Sequence, residues 1–165
     1  MTKLRKLTAL LLAGALTLLL LTACSGGGGS SGPGAQAQTE AKVMEAINSG
    51  RSGRAAPLSN DPDMQRIAKK KLAEANLDAN LNGSIGKYKF YNDVKYDRET
   101  STLTLIAQYD YQNTKLDDLI GCITEGNKSS NLNFNHSSKW TKVGVAAKIH
   151  NGKTYIAITL QVNNT

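Results

Sequence analysis

The chain has little of what catalytic and nucleic-acid-binding domains rely on. Among 165 residues there are 2 cysteines, 2 histidines and 1 tryptophan, and aromatics make up 5%. Cys24 and Cys122 allow at most one disulfide. His136 and His150 are too few for a zinc site built on three or four His, Cys or carboxylate ligands, and they are differently placed. With so few aromatics, no aromatic-basic stripe resembles a platform on which nucleic acid would stack. Lys69-Lys70-Lys71 is the one basic run, and a solvated face of an amphipathic helix accounts for it. The glycines at 26–29 are not followed by Gly-Lys-Ser/Thr, so they do not make a phosphate-binding loop. No nucleic-acid partner, cofactor or metal is expected.

What is present begins at the N-terminus. Lys3, Arg5 and Lys6 precede an apolar stretch from Leu7 to Leu21, then Thr22, Ala23 and Cys24. The basic start stays on the cytoplasmic side while the apolar stretch enters the membrane. A permanent span needs ~20 apolar residues, so length alone leaves a span open, and the placement of Cys24 decides. Leu21-Thr22-Ala23-Cys24 resembles the lipobox of a bacterial lipoprotein signal. The resemblance implies that residues 1–23 are removed and that Cys24 becomes the first mature residue and carries the lipid. The domain would be held outside the cytoplasm on the bacterial membrane, each buried CH₂ contributing about 0.8 kcal/mol. Loss of Lys3, Arg5 and Lys6 lowers the formal charge from +7 by three to +4. That modest excess suits anionic lipid or envelope polymers. Cys122 would then be the only thiol. Its apolar helical setting, Leu116 to Ile123, predicts a buried inert group with no basic neighbour to activate it.

Residues 24–38 read as the lipidated cysteine and a Gly/Ser-rich tether, and residues 39–165 as one folded domain. Val43, Met44 and Ile47 recur at helical spacing, with Gly50 and Gly53 as stops. Asn60 or Asp61 caps a second helix with Pro62 in its first turn and Met64, Ile67, Ala68, Leu72 and Ala75 on one face. Asn80 to Gly86 reads as a loop. Tyr88 and Phe90 alternate in a strand, with Val94 and Tyr96 following in a turn or a second short strand. Asp97-Arg98-Glu99 connects to a strand through Leu103, Leu105, Ala107 and Tyr109. A third helix is expected from Asn113 or Thr114 to Ile123, and a helical turn near Leu132. Val143 to Ile149 and Ile156 to Val162 form a hairpin around Asn151-Gly152. The order of elements predicts an α+β or layered α-β-α domain.

Both ends of this domain resemble the CAP superfamily, the SCP-like domain of cysteine-rich secretory proteins, antigen 5 and pathogenesis-related proteins. One end carries Asn48-Ser49-Gly50-Arg51, Ala56-Pro57-Leu58 and the helix from Met64 to Ala75. The other carries Trp140-Thr141-Lys142-Val143-Gly144-Val145 and the hairpin. The resemblance implies a three-layer α-β-α sandwich around a largely antiparallel sheet. Many members hold a divalent metal with two histidines and two acids, one His and one Glu coming from a Gly-Glu-Asn stretch. This chain has no such stretch and no histidine before His136, and Asn131 stands near the second family histidine. The tetrad is therefore expected to be absent.

Other residues do not replace it. His150 flanks the hairpin turn. His136, in a polar loop, is the candidate for lining a ligand pocket, with a surface histidine as the competing reading. Ser137 adjoins His136, but adjacent residues rarely form a catalytic triad. Asp117 and Asp118 would point about 100° apart on a helix, and Asp61 and Asp63 suit a helix N-terminus. The expectation is a non-catalytic module that binds a protein, an envelope polymer or an apolar small ligand. The alternatives are an extracytoplasmic hydrolase acting on peptides or cell-wall material, and a structural envelope protein. Cys24→Ala is expected to leave the chain uncut and unlipidated by mass spectrometry; an unchanged mature mass would contradict the assignment.

Overall fold

The computed structural model describes residues 33–51, 55–79, 81, 83–85, 88–109, 134 and 136–164. The expected N-terminal signal, Cys24, the expected third helix with Cys122, and the expected turn near Leu132 lie outside them. The elements are α1 (Pro33–Gly50), α2 (Pro62–Glu74), β1 (Gly83–Ile85), β2 (Tyr88–Tyr96), β3 (Thr100–Tyr109), a 3₁₀ turn (Ser137–Lys139), β4 (Trp140–His150) and β5 (Lys153–Asn163). The fold is α+β. Five strands form one antiparallel sheet in the order β1-β2-β3-β5-β4, β1 being a short addition to four long strands.

Three expectations change. The helix α1 begins at Pro33, ahead of the expected domain start at Thr39, so Pro33–Gln38 is not tether. Proline suits a first helical turn, Ala-Gln-Ala-Gln propagates a helix, and Thr39 is buried with its hydroxyl donating to the Ala35 carbonyl at 2.8 Å. Within the expected loop Asn80–Gly86, Gly83–Ile85 pairs with β2 as a strand. Gly83 lies opposite Phe90, and a Cβ there would come within 2.9 Å of the ring, so the glycine makes room for the aromatic. Finally, Tyr88–Tyr96 is one continuous strand, paired along its length with β3 from Phe90 to Tyr96.

The two sheet faces carry different side chains. On one, Leu103, Leu105, Val143, Val145, Ile156, Ile158, Leu160 and Val162 meet Val43, Met44 and Ile47 of α1, with Phe90, Phe134 and Trp140 at the margins. On the other, Ile106, Ala146, Ala157 and Tyr155 meet Ala68 and Leu72 of α2, and Leu77 just beyond it. This second face is built from small residues, so α2 lies close to the strands. Thr104 and Thr159 are buried on that face, and their hydroxyls bond each other at 3.0 Å. Burial on both faces explains why β4 and β5 read as near-continuous apolar runs.

The outer edge of β4 is covered by side chains. Asn60 accepts from the Val145 N–H at 2.8 Å and donates to its carbonyl at 3.1 Å. The Asp61 N–H donates to the Val143 carbonyl at 2.8 Å. Glu40 accepts from the Ala147 N–H at 3.1 Å and from Gln65 Nε2 at 3.0 Å, joining α1 to α2 around the edge. The hairpin turn is as expected, with φ of 50° at Asn151 and 71° at Gly152. A Cβ on Gly144 would collide with the backbone of Met64 and Gln65. Gly144→Ala is therefore expected to destabilise the domain by about 2–3 kcal/mol in urea unfolding; an unchanged midpoint would show that α2 stands farther from β4.

Candidate functional site

A polar concavity among the described residues lies between the second half of α2 and β2. It is a cleft of about 110 Å³ lined by Lys71, Glu74, Ala75 and Tyr91. Asp61 fixes the helix above it, accepting from the N–H groups of Asp63 and Met64 at 3.1 Å each. The choice between Asn60 and Asp61 as cap thus falls to Asp61. From Asp61 the helical period carries Met64, Ala68 and Leu72 inward and leaves Lys69 and Lys70 exposed.

Lys71 departs from the solvated-face expectation. Its Nζ lies 2.7 Å from Asp93 Oδ2 on β2, and both side chains are 37% exposed. The hydrogen bond that Lys71 donates to Asp93, more than the Asp93 charge, raises the Lys71 pKa, against a smaller lowering by burial. The cleft therefore presents a fixed ammonium, a Tyr91 ring and the Glu74 carboxylate. An ammonium held this way binds anionic or carbonyl oxygens. It does not act as a neutral nucleophile or base near pH 7.

The sequence candidates are spread apart. His136 is exposed and sits just before the 3₁₀ turn, its carbonyl accepting from the Lys139 N–H at 2.8 Å. It does not line the cleft. His150 ends β4, with Nε2 2.9 Å from Asp78 Oδ2 and 3.2 Å from Asn151 Nδ2, and packs edge-on against Tyr155. The hydrogen bond from His150 holds the Asp78 carboxyl below its ordinary range. The strand β4 separates the two imidazoles. At about 3.3 Å per residue, its 11 residues put them roughly 30 Å apart, too far for one site. Asp63 pairs with Arg66 in the first turn of α2, in keeping with a role at the helix start. Among the described residues, no group of three or more His, Cys, Asp and Glu converges. Cys24, Cys122, Asp117 and Asp118 fall outside those residues.

Residues that carry the family resemblance make structural contacts. Asn48 donates to the Leu58 carbonyl and accepts from its N–H, both at 2.8 Å, which folds the segment after α1 back onto it. Trp140 donates from Nε1 to the Phe134 carbonyl at 2.9 Å. Arg51 has buried Nε and Nη1 atoms with no hydrogen-bond partner among the described residues, and desolvation lowers its pKa. No family model matches the chain, and no curated protein matches it significantly.

The link between Lys71 and Asp93 was not read from the sequence. The available signal was an acid inside a strand, Asp93, facing a lysine run three turns along a helix. A raised folded pKa means the pair's stabilisation is fully present below pH 10.5 and is lost as pH rises through the raised value. Because the pair is partly exposed, solvent screening keeps its coupling small, about 0.5 kcal/mol. A double-mutant cycle with Lys71→Met and Asp93→Asn is expected to show that coupling at pH 7 and less of it above pH 10.5. Zero coupling at pH 7 would remove the contact.

Proposed function

We propose that this chain is a lipid-anchored extracytoplasmic binding module with a divergent CAP-like domain. The observation that carries the anchoring is the N-terminal sequence ending in Leu21-Thr22-Ala23-Cys24. The CAP-like reading is supported by motif residues occupying joints of the fold. Asn48 holds Leu58, Trp140 holds Phe134, and Gly144 admits α2 against β4. A helix on each face of an antiparallel sheet is the arrangement expected of a three-layer α-β-α sandwich.

Recognition rather than bond making is favoured by the placement of the ionisable groups. Lys71 is engaged by Asp93, His150 by Asp78, and His136 stands in the open. The partner would be a protein, an envelope polymer or a small ligand met by the domain surface. In intact cells converted to spheroplasts, the wild-type chain is expected to fractionate with membranes and to be cut by added protease. Protection from protease would sink the extracytoplasmic reading. Turnover of peptides or cell-wall fragments by the purified chain would replace the binding reading with the hydrolase.

A further inference from the structure

The chain treats the two edges of its sheet differently. Along β4 the outward Val143 carbonyl, both backbone groups of Val145 and the Ala147 N–H have partners. On the opposite side, β1 pairs with β2 only from Tyr88 to Phe90. No described residue pairs with the outer side of Asn92–Tyr96. The N–H and C=O of Val145 leave the sheet toward Asn60. Because bonding sides alternate in an antiparallel ladder, the register Val145–Ile158–Leu105–Asn92 turns Asn92 the opposite way, out of the other edge. The backbone groups of Asn92, Val94 and Tyr96 therefore point outward. Such an edge is a template for another strand. It also carries Tyr96, a large side chain 63% exposed.

We propose that two copies of this chain join edge to edge through antiparallel Asn92–Tyr96 strands paired about Val94. The charge pattern selects both the partner and the register. With Val94 opposite Val94 of the second copy, each Asp93 lies opposite a Lys95, on the same face and in the closer, non-hydrogen-bonded position. Asn92 then lies opposite Tyr96, and Tyr96 leaves the water. A register centred on Asn92 would set Lys89 against Lys95 and would overlap β1. One centred on Tyr96 would set Asp93 against Glu99. Lys95 can exchange its partner, because its side chain is 76% exposed and its 3.5 Å pair with Asp97 is solvated. Asp93 is held on its face by Lys71. The five strands of each copy would become one continuous sheet.

The test is sedimentation of the full chain in neutral detergent, read as a dimer dissociation constant. The wild type is expected to dimerise. Val94→Pro removes an outward N–H that no described residue uses within the copy, and although Val94 also packs on the core, the variant is expected to keep the wild-type circular dichroism while the dimer weakens at least about tenfold. The anchor is unchanged in that variant, which separates edge pairing from association through the N-terminal segment. Lys95→Asp and Asp93→Lys are each expected to be monomeric alone and to form a heterodimer when mixed, since the mixture restores opposite charges. A wild type that stays monomeric at millimolar concentration, a dimer that survives Val94→Pro, or a mixture that stays monomeric while both variants remain folded would overturn the proposal.

Discussion

The arrangement of this domain depends on Asn60. Its side-chain amide imitates a strand residue, taking the Val145 N–H and returning a donor to the Val145 carbonyl. The next residue bonds Val143 and caps α2. Within two residues the chain thus stops being a partner of the sheet edge and becomes a helix lying over the sheet. That geometry presses the Met64–Gln65 backbone onto β4, where only glycine fits. It also brings Gln65 to Glu40, which bonds Ala147 and ties α1 to the same edge. An edge N–H or C=O left buried and unpaired costs roughly 1–3 kcal/mol. Here one asparagine, one carboxylate and one backbone N–H meet that requirement.

The two faces divide the work of stability. The α1 face is filled by large aliphatic and aromatic side chains, and its burial supplies most of the hydrophobic contribution. The α2 face sets alanine, glycine and threonine among a few larger side chains, Ile106, Tyr155 and Leu72. It gains less area but allows a helix close enough for polar links at both ends, Asp61 to β4 and Lys71 to β2. Packing and these links stabilise the described part without a covalent bridge.

Much of this was legible in the residues because period and turn chemistry agree there. The apolar spacing Met64, Ala68, Leu72 placed α2, and Asn151-Gly152 placed the hairpin. Where local signals were weak, the sequence misled. Ala-Gln-Ala-Gln beside a glycine run looked like tether, although it propagates α1. Gly83–Ile85 lacked strand propensity, and what makes it a strand is the ring of Phe90 across the ladder. The polar joints were illegible for a different reason. Glu40 meets Ala147 107 positions away, and Asn60 meets Val145 85 positions away. No local pattern marks which of many Asn and Glu side chains will meet a strand edge once the chain has folded. His150 shows the same limit: its place at the turn was readable, its pairing with Asp78 was not.

These pairings also bear on what the domain can do. A general base must hold a free lone pair near neutral pH, and a lysine nucleophile must be easily deprotonated. Asp93 pushes Lys71 the other way, toward the ammonium. His150 Nε2 lies 2.9 Å from Asp78 and 3.2 Å from Asn151, contacts that fix the ring at a hairpin end. The chemistry-bearing side chains in the described part thus hold elements together: α2 to β2, the hairpin to the segment after α2, α1 to α2. A protein that uses its titratable groups as joints has rigid surfaces to offer. Surfaces fixed in advance lower the ordering cost of association, and the proposed recognition role would draw on that.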